Sequence, residues 1–271
     1  MDSHVKRLIT GIVVVPALIA LIVIPYGFSD IVFLGIIMAV ILRGIFEYNR
    51  MVFGDEYTLE KYEGLFIGIL IPVAAHVGGL PLMSAATTFS FFIVFLLFLF
   101  RMKARPSDFT VLIKVIFGYI YIAFMMSHFI LLRGFENGAL WVVFMVVITF
   151  SSDISAFYAG KTFGKRKLFP EISEKKTEEG AIGSVVGTIL GCLIFKILFL
   201  SEIPFVHAVV IGFMGGILGQ LGDLCESSIK RASMVKDSGS LLPGHGGILD
   251  RLDSFIFIIP FVYYYSILFI K

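Results

Sequence analysis

The chain has 271 residues, of which 58% are hydrophobic and only 15% are charged, and its mean hydropathy is +0.96. A water-soluble domain of this length is about 45–50% apolar, so the composition excludes a soluble enzyme and indicates a polytopic membrane protein. The net charge of +2 is uninformative as a total, and we expect no nucleic-acid partner. Cys192 and Cys225 fit no disulfide framework.

Long apolar runs predict an all-α fold of about nine transmembrane helices, because a span needs about 20 apolar residues. The first run follows Lys6 and Arg7 and is too long for the apolar core of a signal peptide, so we expect it to be retained. The third contains Pro72 and His76, which predicts a kinked or partly re-entrant span. The predicted spans are 8–26, 31–49, 64–79, 82–100, 109–132, 139–159, 181–200, 204–227 and 254–270.

The distribution of basic residues predicts the orientation. Most of the 22 lysines and arginines lie in the N-terminal segment and in the loops after the second, fourth, sixth and eighth spans. Because such residues accumulate on the cytoplasmic side, we expect a multi-pass inner-membrane protein with a cytoplasmic N-terminus. Cytoplasmic loops 160–180 and 228–253 then share one face. We divide the chain into scaffold helices, 1–135, and a C-terminal region, 136–271, that carries the chemistry.

Glycines recur at four-residue spacing in the seventh and eighth spans. Small residues at this spacing let helix backbones approach closely in lipid. We therefore predict that the two spans pack tightly in the core. The glycines are Gly183, Gly187 and Gly191 in the seventh span, and Gly212, Gly215, Gly216 and Gly219 in the eighth.

The eighth span continues past its glycines into a polar face. Gln220, Asp223, Ser227 and Lys230 step by three or four residues and share one side of the helix. A carboxylate within a span is costly and should face protein or a water-filled cavity. The candidate partners for Asp223 are Lys230, Arg231 or a metal ion. A purely structural ion pair is the alternative.

Three further aspartates return to the same boundary. Asp153 lies near the end of the sixth span, and Asp250 and Asp253 lie at the start of the ninth. Four converging carboxylates repel one another unless cations lie between them. Oxygen ligands without a Cys or His cluster favour Mg²⁺ over zinc, and Mg²⁺ is typically held by one or two carboxylates plus substrate phosphates. We expect one or two cations.

The two inner loops combine basic residues with glycines. A basic run alone is typical of an orientation signal, but glycines also let backbone N–H groups approach an anion. His245, in Gly-His-Gly-Gly, fits a general acid or base, a phosphate donor or a structural hydrogen-bonder equally well. The basic residues are Lys161, Lys165, Arg166, Lys167, Lys175 and Lys176 in one loop, and Lys230, Arg231, Lys236 and Arg251 in the other.

One long pattern runs through the second of these loops. It consists of Ser227, Ile229-Lys230-Arg231, Lys236-Asp237-x-Gly239 and Leu242-Pro243-x-His245-Gly246-Gly247-Ile248-x-Asp250-Arg251-Leu252-Asp253. At every specified position this pattern resembles the signature of the phosphatidate cytidylyltransferases, also called CDP-diacylglycerol synthases. A second stretch resembles the family from Asp153-x-x-Ala156 through Phe163-Gly164-Lys165 to Lys175-Lys176-Thr177-x-Glu179-Gly180. It departs at Phe157, Glu174 and Glu178, where the family has Tyr, Pro and often Trp.

The resemblance implies a Mg²⁺-dependent membrane enzyme that transfers CMP from CTP to phosphatidate and releases pyrophosphate. It also implies a helical, dimeric architecture. We assign metal binding to Asp223 and Asp250, with Asp153 and Asp253 as further candidates. The predicted catalytic set is Asp223, Asp250, Lys230, Arg231 and His245, and the predicted substrate-phosphate set is Lys165, Lys175, Lys176, Lys236 and Arg251.

Two alternatives stay open. A related CTP-dependent transferase would use another lipid phosphate as its acceptor. A membrane ion or lipid transporter would also carry an intramembrane aspartate and glycine-rich helices. Against a transporter, the charges gather at one face of the membrane rather than at its midplane.

Overall fold

The structure, a computed structural model, describes residues 28–104, 108–239 and 246–270. The helices are α1 (Phe28–Phe53), α2 (Thr58–Ala104), α3 (Phe109–Gly118), α4 (Met125–Arg133), α5 (Gly138–Phe163), α6 (Glu178–Phe199), α7 (Phe205–Ala232) and α8 (Leu249–Phe269). A π-helical segment, Tyr119–Phe124, joins α3 to α4. An antiparallel hairpin of β1 (Lys167–Phe169) and β2 (Ser173–Thr177) joins α5 to α6. The predicted first span, 8–26, lies outside the described residues.

The described helices are long and apolar. Seven of them are able to cross a membrane by length and composition, when α3, the π-helical segment and α4 are taken as one. Large apolar side chains cover much of their outer surface, including Phe89, Phe92, Ile194 and Val206. The chain is therefore an all-α polytopic membrane protein, as its composition predicts. The count of nine spans and the orientation stay predictions.

Helix α2 contains the predicted third and fourth spans as two arms. Helical geometry breaks at Gly78 and Gly79, and the φ of +62° at Gly79 is a left-handed value that favours glycine. Arg101, near the end of the second arm, forms an ion pair with Glu63 of the first. A straight helix would separate these two residues by about 57 Å. The chain therefore reverses at the two glycines, rather than kinking at Pro72.

The glycines of α6 leave room for α5. A β-carbon added at any of the three would collide with a small residue of that helix: Ala159 for Gly183, Ser155 for Gly187 and Ser151 for Gly191. Close backbone approach of this kind is the usual function of small residues in membrane helices. The stripe in α6 thus faces α5, which the sequence did not indicate.

The glycines of α7 bring that helix against α6. A β-carbon at Gly212 would lie 2.6 Å from the Cα of Ile189, and one at Gly216 would lie 2.6 Å from the Cα of Val185. The backbones of α6 and α7 are therefore in contact, and their predicted tight packing is confirmed.

Buried hydroxyl groups join the same helices. Ser152 Oγ on α5 and Ser184 Oγ on α6 lie 2.7 Å apart, and Ser184 Oγ lies 3.2 Å from the carbonyl oxygen of Gly216 on α7. A hydroxyl has one proton to donate. Because Ser184 donates its proton to the carbonyl, Ser152 donates to Ser184. On α8, Ser254 Oγ donates to the carbonyl oxygen of Gly219 at 3.2 Å. Hydrogen bonds thus connect all four helices that frame the site.

We predict that Gly216→Ala destabilises the protein by about 1–3 kcal/mol, because the added methyl overpacks against the backbone of α6. The matched control is Gly35→Ala on α1, where a β-carbon meets nothing within 4 Å. Thermal unfolding in detergent should show a lower midpoint for Gly216→Ala alone. Equal midpoints for the two variants would contradict the close contact.

Candidate functional site

A cavity of about 400 Å³, lined in part by charged residues, opens where the C-terminal halves of α5 and α7 meet the hairpin. We call this end of the bundle the hairpin end; it contains Phe163, β1, β2, Ala232 and Leu249. Its charged lining residues are Asp153, Lys161, Lys175, Lys176 and Asp223. The cavity therefore combines carboxylates from two helices with lysines from a helix end and a strand.

An ion pair between Lys176 and Asp223 closes one wall of this cavity. Lys176 Nζ lies 2.8 Å from Asp223 Oδ2, and the lysine side chain is only 13% exposed. The same ammonium donates to the carbonyl oxygen of Gln220 at 3.3 Å, and Ser227 Oγ donates to Asp223 Oδ1 at 3.2 Å. The cationic partner of Asp223 thus comes from the hairpin, whereas the sequence predicts Lys230, Arg231 or a metal ion.

Three aspartates from different helices gather at the cavity. Asp153 and Asp223 both line it. Asp253 lies close enough to both, and to Lys176, to interact with them electrostatically. Its backbone packs directly on α7 at Gly222, where a β-carbon would collide with the carbonyl of Asp253. The predicted convergence of these three carboxylates is what the described residues show.

Asp250 is engaged elsewhere and does not line the cavity. Its Oδ1 lies 2.7 Å from Lys230 Nζ. Its Oδ2 accepts hydrogen bonds from Ser238 N at 3.1 Å, Ser238 Oγ at 2.9 Å and Gly247 N at 2.7 Å. The buried carboxylate of Glu226 pairs with the same lysine. We call residues 236–253 the signature segment. Asp250 thus binds Ser238 and Gly247 of this segment, and its metal-binding role stays a prediction.

The hairpin is anchored at both ends by residues of the second stretch that resembles the family, Asp153 to Gly180. Thr177 precedes α6 as its N-cap, and Thr177 Oγ1 accepts from Gly180 N at 3.2 Å. The carboxylate of Glu179 accepts from Lys165 N at 3.0 Å and from Arg166 N at 3.3 Å. Such caps satisfy backbone N–H groups that would otherwise lack partners. The Thr, Glu and Gly of this motif therefore fix the chain that presents its two lysines.

The remaining predicted cations lie on the surface of the hairpin end. Lys165, Lys236 and Arg251 are exposed. Arg231 is also exposed, and its Nε donates to the carbonyl oxygen of Ile172 at 3.3 Å, which ties α7 to the hairpin turn. The predicted residue His245 lies outside the described residues.

Two buried carboxylates that contact residues of the family signature are not indicated as site residues by the sequence. Glu226 on α7 is fully buried, and Glu47 on α1 is 1% exposed. Glu226 lies four residues before Lys230, and that spacing on a helix is a recognised signal for an ion pair. Glu47 lies four residues after Arg43, with which it pairs, but nothing near it in the sequence indicates its further contacts near the start of α8.

The fold and the cavity define a polytopic helical membrane protein with a charged site at the ends of its C-terminal helices. The sequence profile of the cytidylyltransferase family matches residues 5–269. The chain belongs to this family.

Individual relatives agree with that placement. The chain is 42% identical over 172 residues to the phosphatidate cytidylyltransferase of Bacillus subtilis (strain 168), over 59% of this chain and 64% of that protein. It is 41% identical over 125 residues to the phosphatidate cytidylyltransferase of Staphylococcus saprophyticus, over 46% and 48% of the two chains. It is 39% identical over 204 residues to the uncharacterized protein YnbB of Escherichia coli (strain K12), over 69% and 68%. The matches thus span about half to two thirds of these relatives.

We predict that Thr177→Val weakens the junction between the hairpin and α6. Valine keeps the shape of threonine but loses the oxygen that accepts from Gly180 N, and loss of such a cap costs about 1 kcal/mol. Hydrogen exchange should become faster at the first turn of α6. Exposed Thr162 on α5 provides the control, since Thr162→Val should leave this turn unchanged. Unchanged exchange in Thr177→Val would show that the cap is not needed.

Proposed function

We propose that this protein is a phosphatidate cytidylyltransferase that transfers CMP from CTP to phosphatidate and releases pyrophosphate. The observation that carries the proposal is the cavity in which Lys175 and Lys176 face Asp153 and Asp223. Such a cavity combines lysines suited to a polyphosphate with carboxylates suited to a divalent cation. The names of the Bacillus and Staphylococcus relatives support the same activity.

The carboxylates of the cavity fit a magnesium ion that is shared with a phosphate ligand. The described residues hold no group of three or more Asp, Glu, His or Cys side chains arranged to enclose a metal. Mg²⁺ usually needs no such cage, because it is held by one or two carboxylates, substrate phosphates and water. We assign Asp153 and Asp223 to this role, with Asp253 beside them and Asp250 as the remaining candidate. When bound, the ion would neutralise charge on the CTP phosphates.

The reaction needs positioning more than proton transfer. A phosphate oxygen of phosphatidate forms a bond to the α-phosphorus of CTP, and the bond from that phosphorus to the pyrophosphate oxygen breaks. Because the attacking phosphate is already anionic near neutral pH, no strong general base is required. Catalysis of this kind depends on orientation and on preorganised positive charge. In this scheme Lys175 and Lys176 hold the CTP phosphates.

The cations around the cavity would hold the phosphate of the lipid head group and the departing pyrophosphate. Arg231, Lys236 and Arg251 are exposed at the hairpin end, where a lipid head group or the departing pyrophosphate is accessible. We assign them to those ligands, together with Lys230. In the described structure Lys230 is held by Asp250, so its position depends on the signature segment.

The lipid substrate would enter sideways from the bilayer. Phe157 lines the cavity and is 61% exposed, and Tyr158 and Phe163 are exposed on the same end of α5. This arrangement places an apolar surface beside a charged cavity, as a substrate with acyl chains and a phosphate head group requires. We propose that this end faces the cytoplasm, where CTP is available, because the distribution of basic residues favours that orientation. We also propose a homodimer, as the family resemblance implies.

Asp223→Asn should lower CTP-dependent CDP-diacylglycerol formation at least about 100-fold, because it removes a carboxylate that faces the nucleotide and leaves Lys176 without its partner. The assay uses labelled CTP, phosphatidate and Mg²⁺ in detergent. Asp55→Asn, an exposed residue between α1 and α2, is the control and should retain activity.

Three results would count against the proposal. Full activity in Asp223→Asn would remove this residue from the reaction. Absence of product from the unaltered protein would favour a transporter, and product from another lipid phosphate but not from phosphatidate would change the acceptor.

Lys176→Ala should raise the KM for CTP more than the KM for phosphatidate, by about tenfold or more, because a charge-assisted contact to a phosphate is lost. Lys103→Ala, exposed at the end of α2, is the matched control. Steady-state kinetics with each substrate varied in turn would measure the difference. A larger effect on the KM for the lipid would reverse our assignment of this lysine.

A further inference from the structure

A buried glutamate from the N-terminal half of the chain reaches the signature segment. Glu47 lies near the end of α1 and is 1% exposed. Its Oε2 accepts a hydrogen bond from Leu249 N at 3.0 Å. Its Oε1 accepts from Arg43 Nε at 3.0 Å, one helical turn earlier. A buried carboxylate therefore joins the scaffold helices to the first residue of α8.

Glu47 supplies a cap that α8 lacks in its own sequence. The first N–H groups of a helix have no partner within the helix, and a carboxylate there also interacts favourably with the helix dipole. The residue at the N-cap position is Ile248, whose side chain makes no capping hydrogen bond. The carboxylate that accepts from Leu249 N thus comes from a different helix.

Ser238 connects Glu47 to Asp250. Its hydroxyl oxygen lies 2.9 Å from Asp250 Oδ2 and 3.3 Å from Glu47 Oε2. A hydroxyl donates only one proton at a time, and the shorter distance favours Asp250. Ser238 is buried, so its side chain stays between the two carboxylates. The side chain of Ser238 thus touches both carboxylates, and Asp250 in turn pairs with Lys230.

Two glycines of the signature leave the space that Glu47 occupies. A β-carbon at Gly239 would lie 2.8 Å from Glu47 Oε1, and one at Gly247 would collide with Glu47 Oε2 and with Ser238 Oγ. Neither glycine has a positive φ. Glycine is therefore needed at both positions because Glu47, a residue far outside the signature, approaches their backbone closely.

We propose that Glu47 is a positioning residue for nucleotide transfer. It holds the start of α8 and the segment around Ser238 in place, so that Asp250 and Lys230 keep their geometry beside the cavity. This inference rests on the proposed function for its kinetic consequence. The contact itself does not depend on that function.

The test compares Glu47→Ala and Glu47→Gln with the unaltered full-length protein. The alanine removes both acceptor oxygens, whereas the glutamine can still accept from Leu249 N. We expect kcat per folded protein to fall about 10–100-fold in Glu47→Ala, since small displacements near a reacting group have effects of this size. Glu47→Gln should recover part of this loss. Hydrogen exchange at Leu249 should be fastest in Glu47→Ala and intermediate in Glu47→Gln.

Glu63→Gln is the matched control. Glu63 is another largely buried glutamate, which pairs with Arg101 away from the signature segment, and this variant should keep both kcat and the exchange rate at Leu249. An unchanged kcat or an unchanged exchange rate in Glu47→Ala overturns the inference. If Glu47→Ala does not fold, the isosteric Glu47→Gln is decisive. An unaltered protein that forms no CDP-diacylglycerol would instead overturn the proposed function, while the exchange measurement would still test the contact.

A coupled substitution tests the role of the glycine. Gly239→Ala alone should lower kcat, because its methyl group meets Glu47 Oε1. In the Glu47→Ala background this group is gone, so the double variant should be no less active than Glu47→Ala. Residues in contact show such non-additivity, whereas independent sites do not. Losses that multiply in the double variant would overturn the proposed contact.

Discussion

The ion pair between Lys176 and Asp223 is the interaction on which the hairpin end depends. An aspartate within an apolar helix costs about 2.5–3.5 kcal/mol at the helix centre, and less near its end, unless it has a partner. Of the two cations near the end of α7, Lys230 is already held by Glu226 and Asp250, and Arg231 donates to the carbonyl oxygen of Ile172. The partner of Asp223 must therefore come from another element. The hairpin provides it, and this requires the chain between α5 and α6 to fold back over α7.

Close helix packing makes that return possible. At Gly180 a β-carbon would lie 3.0 Å from the carbonyl oxygen of Ala156, and at Gly160 it would lie 3.0 Å from Thr177 Oγ1. The C-terminal end of α5 and the N-terminal end of α6 thus meet without intervening side chains, and Thr177 caps α6 at the junction. Glycines that bring membrane helices together in the bilayer therefore also fix where the lysines of the hairpin lie. In this protein the same glycines therefore account for the close packing of the helices and for the position of the hairpin lysines.

The sequence predicts the parts of this arrangement that depend on local composition. Apolar runs indicate helices because lipid offers no backbone partners, and the spacing of Gly212 and Gly216 indicates a close helix contact.

Long-range polar contacts leave no such pattern. Glu47 and Ser238 are 191 positions apart, and neither has a neighbour that identifies the other. The sequence does not indicate the hairpin, because its strands are short and polar. The pairing of Lys176 with Asp223 therefore could not be predicted either. Asp250 and Asp253 were both predicted as metal ligands from their place at the start of the last span, but Asp250 pairs with Lys230 and does not line the cavity.

The carboxylates of the hairpin end therefore form two neighbouring groups with different balances of charge. Around Asp250, a lysine and several N–H and O–H donors already satisfy the carboxylate oxygens. In the cavity, Asp153 and Asp223 face three lysines, Lys161, Lys175 and Lys176, and Asp253 lies close behind. A nucleoside triphosphate carries several negative charges, more than this nearly balanced set can neutralise. In the proposed reaction additional positive charge must accompany the nucleotide, and the two cavity aspartates are the groups placed to hold it.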